Sequence, residues 1–198
     1  MPRPPLARER VLDAYEGILV SDGERAATLD AVAGAAGVSK GGLLYHFASK
    51  DDLAEGMIRR FTALSDDDVS RMGQAPEGAV AYYVRTSVME DDALDRALIA
   101  VTRLAQGGSA PASEALRESR RRWAETIRPH VDDDSALDLV MLVSDGLYFN
   151  NSLLGSGDDP RRFGGFVPSG AALTRLVARV LNATTRTPAA AGPASDSE

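Results

Sequence analysis

Apolar residues recur at three- and four-residue spacing along almost the whole chain, and no stretch alternates as a half-buried strand would. That periodicity predicts an all-α protein of about nine helices, punctuated by glycine, proline and short acidic or hydroxyl-bearing runs. The first helix is expected over residues 6–20, with Val11, Leu12, Tyr15, Ile18 and Leu19 on one apolar stripe. Ser21-Asp22-Gly23 stops it, Gly23 suiting the left-handed backbone that ends helices. Thr28 then caps a short helix whose core face is Leu29, Val32, Ala33 and Ala36. Asp30 favours the positive end of that helix, and Gly37 closes it. Ser39 caps a third, where Leu43 and Phe47 lie four apart on the core face while Lys40 and Leu44 point outward.

Ser49-Lys50-Asp51-Asp52 reads as a capping-box variant opening a long fourth helix that ends near Met72. Pro76 is expected in the first turn of a fifth, and a sixth runs over residues 92–106 to Gly107-Gly108. A seventh covers residues 111–130. Asp132 to Asp134 then precede an eighth over residues 136–154, which is apolar on more than one face. Residues 155–168 form a linker rich in Gly, Asp and Arg. Ser169 is expected to cap the last helix, whose stripe is Leu173, Leu176, Val177, Val180 and Leu181. The Ala/Pro/Ser/Thr-rich residues 184–198 read as a disordered tail.

Several function classes are disfavoured. With no cysteine and only His46 and His130, thiolate chemistry is impossible and a His-rich metal site is not expected, nor is any cofactor. No Gly-x-Ser-x-Gly, Walker or His-Glu-x-x-His motif is present, and the Asp66–Asp68 and Asp132–Asp134 runs lack EF-hand spacing, so the chain is not expected to be an enzyme. MPRPPLARER has no apolar signal-peptide core, and the apolar run at residues 139–143 is too short to span a bilayer. A cytoplasmic protein without a membrane partner is expected. The net charge of −7 argues at first against nucleic acid, but the excess is uneven: residues 1–60 are net −1 and the remainder net −6. Phosphate binding needs local donors rather than a basic whole.

The informative stretch is residues 28–50, TLDAVAGAAGVSKGGLLYHFASK. Two short helices joined by a tight glycine turn have the layout of a helix-turn-helix unit. Gly41 and Gly42 are poor helix formers, but they let the backbone come close to a large partner. Ser39, Lys40, Tyr45, His46 and Lys50 around them can all donate hydrogen bonds to phosphates or base edges. The run from Gly37 to Lys50 closely resembles the recognition-helix signature of the TetR family of regulators, and Thr28 to Ala33 resembles that family's first motif helix.

The resemblance implies an N-terminal three-helix head at residues 1–49 and a C-terminal helical bundle at residues 50–183 that senses a ligand and dimerises. Thr28 would hold a phosphate at a helix N-terminus. Lys40 would reach a base edge or phosphate, Gly41 and Gly42 would permit close approach, and Tyr45, His46 and Lys50 would contact phosphates. Leu44 stands where many members of the family carry tyrosine, so a polar contact is missing there, and Leu44 either touches a thymine methyl or contributes less. The partners implied are double-stranded operator DNA with a palindromic site, a second copy of the chain through helices 136–154 and 169–183, and a small-molecule effector. The pocket would lie among helices four to eight, with Tyr82, Tyr83, Met89, Trp123, Met141, Tyr148 and Phe149 on its wall and Phe163 and Phe166 as a lid. Arg103 and Asp145, with Ser144, are polar groups that either brace helix eight beside Gly146 or orient a mostly apolar ligand. A ligand-released repressor is the expected function, and a helical protein-interaction scaffold without DNA binding is the alternative.

Overall fold

The computed structural model describes residues 4–152 and 167–185. Among them are nine α-helices: α1 (Pro4–Ser21), α2 (Leu29–Ala36), α3 (Lys40–His46), α4 (Lys50–Gly73), α5 (Ala79–Thr86), α6 (Ala93–Gln106), α7 (Ala110–Ile127), α8 (Asp134–Ser152) and α9 (Gly170–Thr184). The all-α class and the helix order match the periodicity. Residues 155–166 of the linker, including Phe163 and Phe166, lie outside the described residues, as does the tail from residue 186.

Helices α1 and α8 begin two residues earlier than expected, and three further departures have local reasons. Pro76 sits outside α5, in a turn closed by the Gly78 N–H donating to the Ala75 carbonyl at 2.9 Å. Gly78 has φ +87, a left-handed backbone that no helix can pass through, so α5 begins one residue later. The seventh helix tightens at its end into a 3-10 turn, Arg128–His130, where Pro129 has no N–H to continue the α ladder. Ser169 precedes α9, but its hydroxyl makes no cap bond; Gly170 at φ +50 distorts the first turn, and the Ser169 carbonyl accepts from Ala172 and Leu173 instead.

The chain divides into two compact units that do not follow chain order. The first holds residues 4–69 and 90–122. There α1 packs on α2, α3 and α6, and α2 packs on α3. Its core is Val11, Leu12, Tyr15 and Leu19 from α1, Val32 from α2, Leu43 and Phe47 from α3 and its end, and Leu53, Met57 and Phe61 from α4, all essentially inaccessible. One carboxylate enters this apolar setting. Glu16 is buried on α1, where Arg60 of α4 and Arg96 of α6 donate to it at 3.3 and 3.0 Å; Arg60 also pairs with Glu9 and Asp13. A buried charge left alone would be costly, so this cluster is tolerated because it is paired on both sides. At the start of α6, Asp92 and Asp95 form a reciprocal capping box, and the Asp95 carboxylate also accepts from the Glu90 N–H at 2.8 Å. Burial pushes the Asp95 carboxyl up to about 6, with these backbone donors working in the opposite direction.

The second unit holds residues 70–89, 123–152 and 167–185. Within it α5, α8 and α9 pack on one another. One face of α8 buries Ala136, Leu137, Val140, Met141, Ser144 and Leu147. Its other face leaves Leu139, Leu142 and Phe149 exposed at 39, 65 and 64%. On α9 only Val180 and Thr184 are buried, and the Thr184 carbonyl accepts from the Asp132 N–H at 3.0 Å. The apolar stripe of α9 is therefore half-covered within one chain.

Gly56 sets how closely α4 approaches α1 and the end of α3. A Cβ there would meet Leu12 Cδ2 and Phe47 Cε1, each at 3.0 Å, and both side chains are buried with little room to yield. The Gly56→Ala substitution is expected to lower stability by about 1 kcal/mol, because overpacking outweighs the gain in helix propensity. Thermal unfolding checks this, and an unchanged or raised Tm would show that the contact has slack.

Candidate nucleic-acid interface

The helix pair α2–α3 is built from its ends. The Ala31 N–H donates to Thr28 Oγ1 at 3.2 Å, and the Gly42 N–H donates to Ser39 Oγ at 3.0 Å, so both short helices carry side-chain caps. Gly37 ends α2 at φ +64, and the Val38 N–H returns to the Ala33 carbonyl at 3.0 Å. Arg10 of α1 donates to the Ala36 carbonyl at 2.5 Å, satisfying another acceptor of that helix end. A side chain at Gly37 would be strained by its backbone and crowded by Arg10 Nη2 at 3.2 Å.

A helix of this length has little stability of its own, so α3 depends on what its inner face buries. Leu43 and Phe47 supply that anchorage, and the Arg8 guanidinium lies 4.9 Å from the Phe47 ring centre. The opposite face presents Lys40, Gly41, Leu44 and Tyr45 to solvent. Tyr45 is 83% exposed, a degree that no packing role explains, and its ring meets the half-buried His46 edge-on at 5.1 Å. Gly41 opens onto empty space, so nothing in the chain itself requires glycine there. Gly42 differs. A Cβ at that position would lie 3.2 Å from Ser39 Oγ, so this glycine also protects the cap of α3.

Thr28, Ser39, Lys40, Gly41, Gly42, Leu44, Tyr45 and His46 thus lie on α2, α3 or their caps, and Lys50 opens α4. The two lysines carry partners that the local pattern does not reveal. Lys40 Nζ lies 3.0 Å from Asp30 Oδ2, and Lys50 Nζ lies 2.5 Å from Glu24 Oε1 while also donating to the Glu24 carbonyl at 3.0 Å. Asp30 and Lys40 are ten residues apart and Glu24 and Lys50 twenty-six, so only the tertiary fold brings them together: α2 against α3 in the first pair, the α1–α2 turn against the start of α4 in the second. Arg8 and Arg10 are missed for the same reason.

The residues read as a ligand wall fall mostly in the second unit. Tyr83 and Trp123 are buried there with ring centres 6.0 Å apart, and Met141 is buried on α8. Tyr82, Asp145 and Tyr148 are half-buried. The half-buried Met89 accepts a hydrogen bond at its carbonyl from the Asn151 amide at 3.1 Å. Phe149 faces outward. Arg103 belongs to the first unit, exposed on α6. The Ser144 hydroxyl is buried and finds no hydrogen-bond partner among the described residues. Among those residues no group of His, Asp or Glu could hold a metal ion, and no helix is long and apolar enough to cross a membrane.

Comparison with known proteins matches residues 11–57 to the DNA-binding family model of bacterial regulatory proteins of the tetR family, and residues 77–167 to a tetracycline-repressor-like C-terminal domain. Together these span more than half of the chain. No curated protein matches the sequence. Among solved structures, NalD of Pseudomonas aeruginosa, the secondary repressor of the MexAB-OprM multidrug efflux pump, is similar at 19% identity and a TM-score of 0.61, covering 91% of this chain and 96% of its own. A SmeT–triclosan complex is similar at 16% identity and a TM-score of 0.65, covering 92 and 93%. A regulator from Saccharomonospora viridis in complex with choline is similar at 16% identity and a TM-score of 0.64, covering 91 and 98%. At these identities the likeness to solved structures concerns the fold.

The two faces of α3 are expected to respond oppositely to truncation. Phe47→Ala should cost about 3–5 kcal/mol of stability, whereas Tyr45→Ala should stay within about 0.5 kcal/mol of the parent. Denaturant titration of the two variants measures both, and a large loss at Tyr45 would place that ring in the core.

Proposed function

The chain belongs to the tetR family of bacterial regulatory proteins, transcription factors rather than enzymes, and on that premise we propose that it represses transcription as a homodimer on a palindromic operator and is released by a small molecule. The observation that carries this reading is α3. Its inner face is fixed by Leu43 and Phe47, while its outer face exposes Lys40, Gly41, Leu44 and Tyr45, whose contacts among the described residues are the Lys40–Asp30 pair and the edge of Tyr45 on His46. Residues 1–49 act as the head. Thr28 and the first turn of α2 hold a phosphate, Gly41 lets the backbone approach, and Tyr45, His46 and Lys50 reach phosphates. Leu44 offers an apolar contact to a thymine methyl. With one lysine and no arginine on α3, direct base contacts are few, so groove shape carries part of the selectivity. The protein acts in the cytoplasm.

Residues 50–183 form the sensing and dimerising body. Leu139, Leu142 and Phe149 on α8, beside the half-covered stripe of α9, supply the apolar surface that a twofold partner covers as a four-helix bundle. Two-fold symmetry places the two recognition helices roughly 34–36 Å apart, one turn of duplex. Tyr83, Trp123, Met141, Tyr148 and the unpartnered Ser144 hydroxyl suit a mostly apolar effector with one polar group. The similar proteins solved with triclosan and choline support small-molecule binding by this fold. An effector that prefers the DNA-incompetent arrangement releases the operator in proportion to its differential affinity, with α4, which runs in sequence from the first unit into the second, as the lever.

Two measurements test the reading. Fluorescence anisotropy with duplex DNA should show affinity falling steeply as salt rises, with Tyr45→Ala weakening binding to all sequences alike; affinity indifferent to salt would favour a protein-binding scaffold. Sedimentation should give a dimer that Leu142→Asp converts to a folded monomer. A parent that sediments as a monomer would contradict the two-headed arrangement.

A further inference from the structure

The chain contains only two lysines among its 22 basic residues, both in the helix-turn-helix region, and each is held by a carboxylate. The two pairs are not equivalent. Lys50 has Glu24 Oε1 at 2.5 Å and also the Glu24 main-chain carbonyl at 3.0 Å, with both side chains partly covered, so it is anchored whatever the carboxylate does. Lys40 has the Asp30 carboxylate alone at 3.0 Å, with side chains 54 and 74% exposed. A lysine ammonium is a compact charge on a flexible stem with three donors, so Lys40 is the one free to exchange partners when another acceptor arrives.

Asp30 stands in the first turn of α2, two residues beyond Thr28, where the proposed function puts a phosphate. A carboxylate there places a negative charge in the path of the DNA backbone and partly neutralises the one ammonium on the recognition helix. At a solvent-exposed position such a pair adds little to stability. Its effect falls on binding, because contacts to phosphate supply nearly all of the sequence-independent affinity for DNA. Lys40 can keep Asp30 with one donor and offer the others to base-edge acceptors such as guanine O6 and N7. A correct base edge then recovers what the neutralised charge withholds from random sequence.

We infer that Asp30 is a specificity-determining residue: through its pair with Lys40 it suppresses binding to arbitrary DNA and reserves that ammonium for a base edge. The inference rests on the DNA-binding reading above. The test uses the full chain, a random-sequence duplex pool, and the duplex that the parent protein enriches from that pool, each titrated over a range of KCl. Asp30→Asn is expected to tighten binding to the random pool several-fold, to tighten the enriched duplex less, and to steepen the random-pool salt slope by about 0.9, the contribution of one added phosphate contact. Asp30→Glu should keep the parent's discrimination. Lys40→Gln should cancel the gain when added to Asp30→Asn, and alone should leave the random-pool slope nearly unchanged. Three results would overturn the inference while leaving the DNA-binding reading intact: an Asp30→Asn protein with unchanged slope and discrimination, a gain that survives Lys40→Gln, or a lone Lys40→Gln that flattens the slope by a full contact. A parent that binds no duplex and enriches none would sink the DNA-binding reading itself, and this inference with it.

Discussion

A seven-residue helix with two glycines in its first turns does not persist in water unless something larger holds it. Here the hold is the packing of Leu43 and Phe47 into the core shared with Leu12, Leu53 and Met57, and it works because Gly56 lets α4 approach without a side chain in the way. Once the inner face is fixed, the outer face is released from any duty to stability. That is why glycine at position 41 and a largely exposed tyrosine at 45 are tolerable, and why they are informative. The caps at Thr28 and Ser39, the left-handed Gly37 and the Arg10 bond to the Ala36 carbonyl satisfy backbone groups at the helix ends and help to fix how α2 and α3 pack.

Much of this head was legible in the sequence because its determinants are local. Thr28, Gly37 and Ser39 act on backbone groups within five residues of themselves, and the Leu43–Phe47 spacing identifies the inner face unaided. Pro76, Pro129 and Ser169 were less legible for an equally physical reason. Proline tolerates both the first turn of a helix and the second position of a tight turn, and the choice at Pro76 was made by the positive φ of Gly78. Ser169 looks like a cap until Gly170 turns left-handed after it. The ion pairs of Lys40, Lys50, Arg60 and Arg96 join residues 10 to 80 apart in sequence, and no periodicity encodes them. For the ligand wall, apolar spacing yields residues such as Tyr83, Trp123 and Met141 that are buried, but burial alone does not distinguish a pocket wall from ordinary core.

Three covered charges among the described residues are each answered by a neighbour. Glu16 is buried between two arginines, Arg122 pairs with Asp66, and Asp95 is enclosed by backbone donors at the start of α6. Against that background the α8 surface stands out for the opposite reason, since among the described residues Leu142 and Phe149 are apolar and largely exposed. The proposed function draws on both surfaces for the same reason: each exposes side chains that stability alone does not call for.

The proposed function requires two copies of α3 presented outward, on one dimer, at the spacing of successive major grooves. Hydroxyl-radical footprinting of the duplex enriched by the protein reads that spacing directly. Two protected patches are expected on one face of the duplex, centred roughly 10–10.5 base pairs apart or a multiple of that distance. A single patch, or uniform protection without a twofold relation, would contradict it.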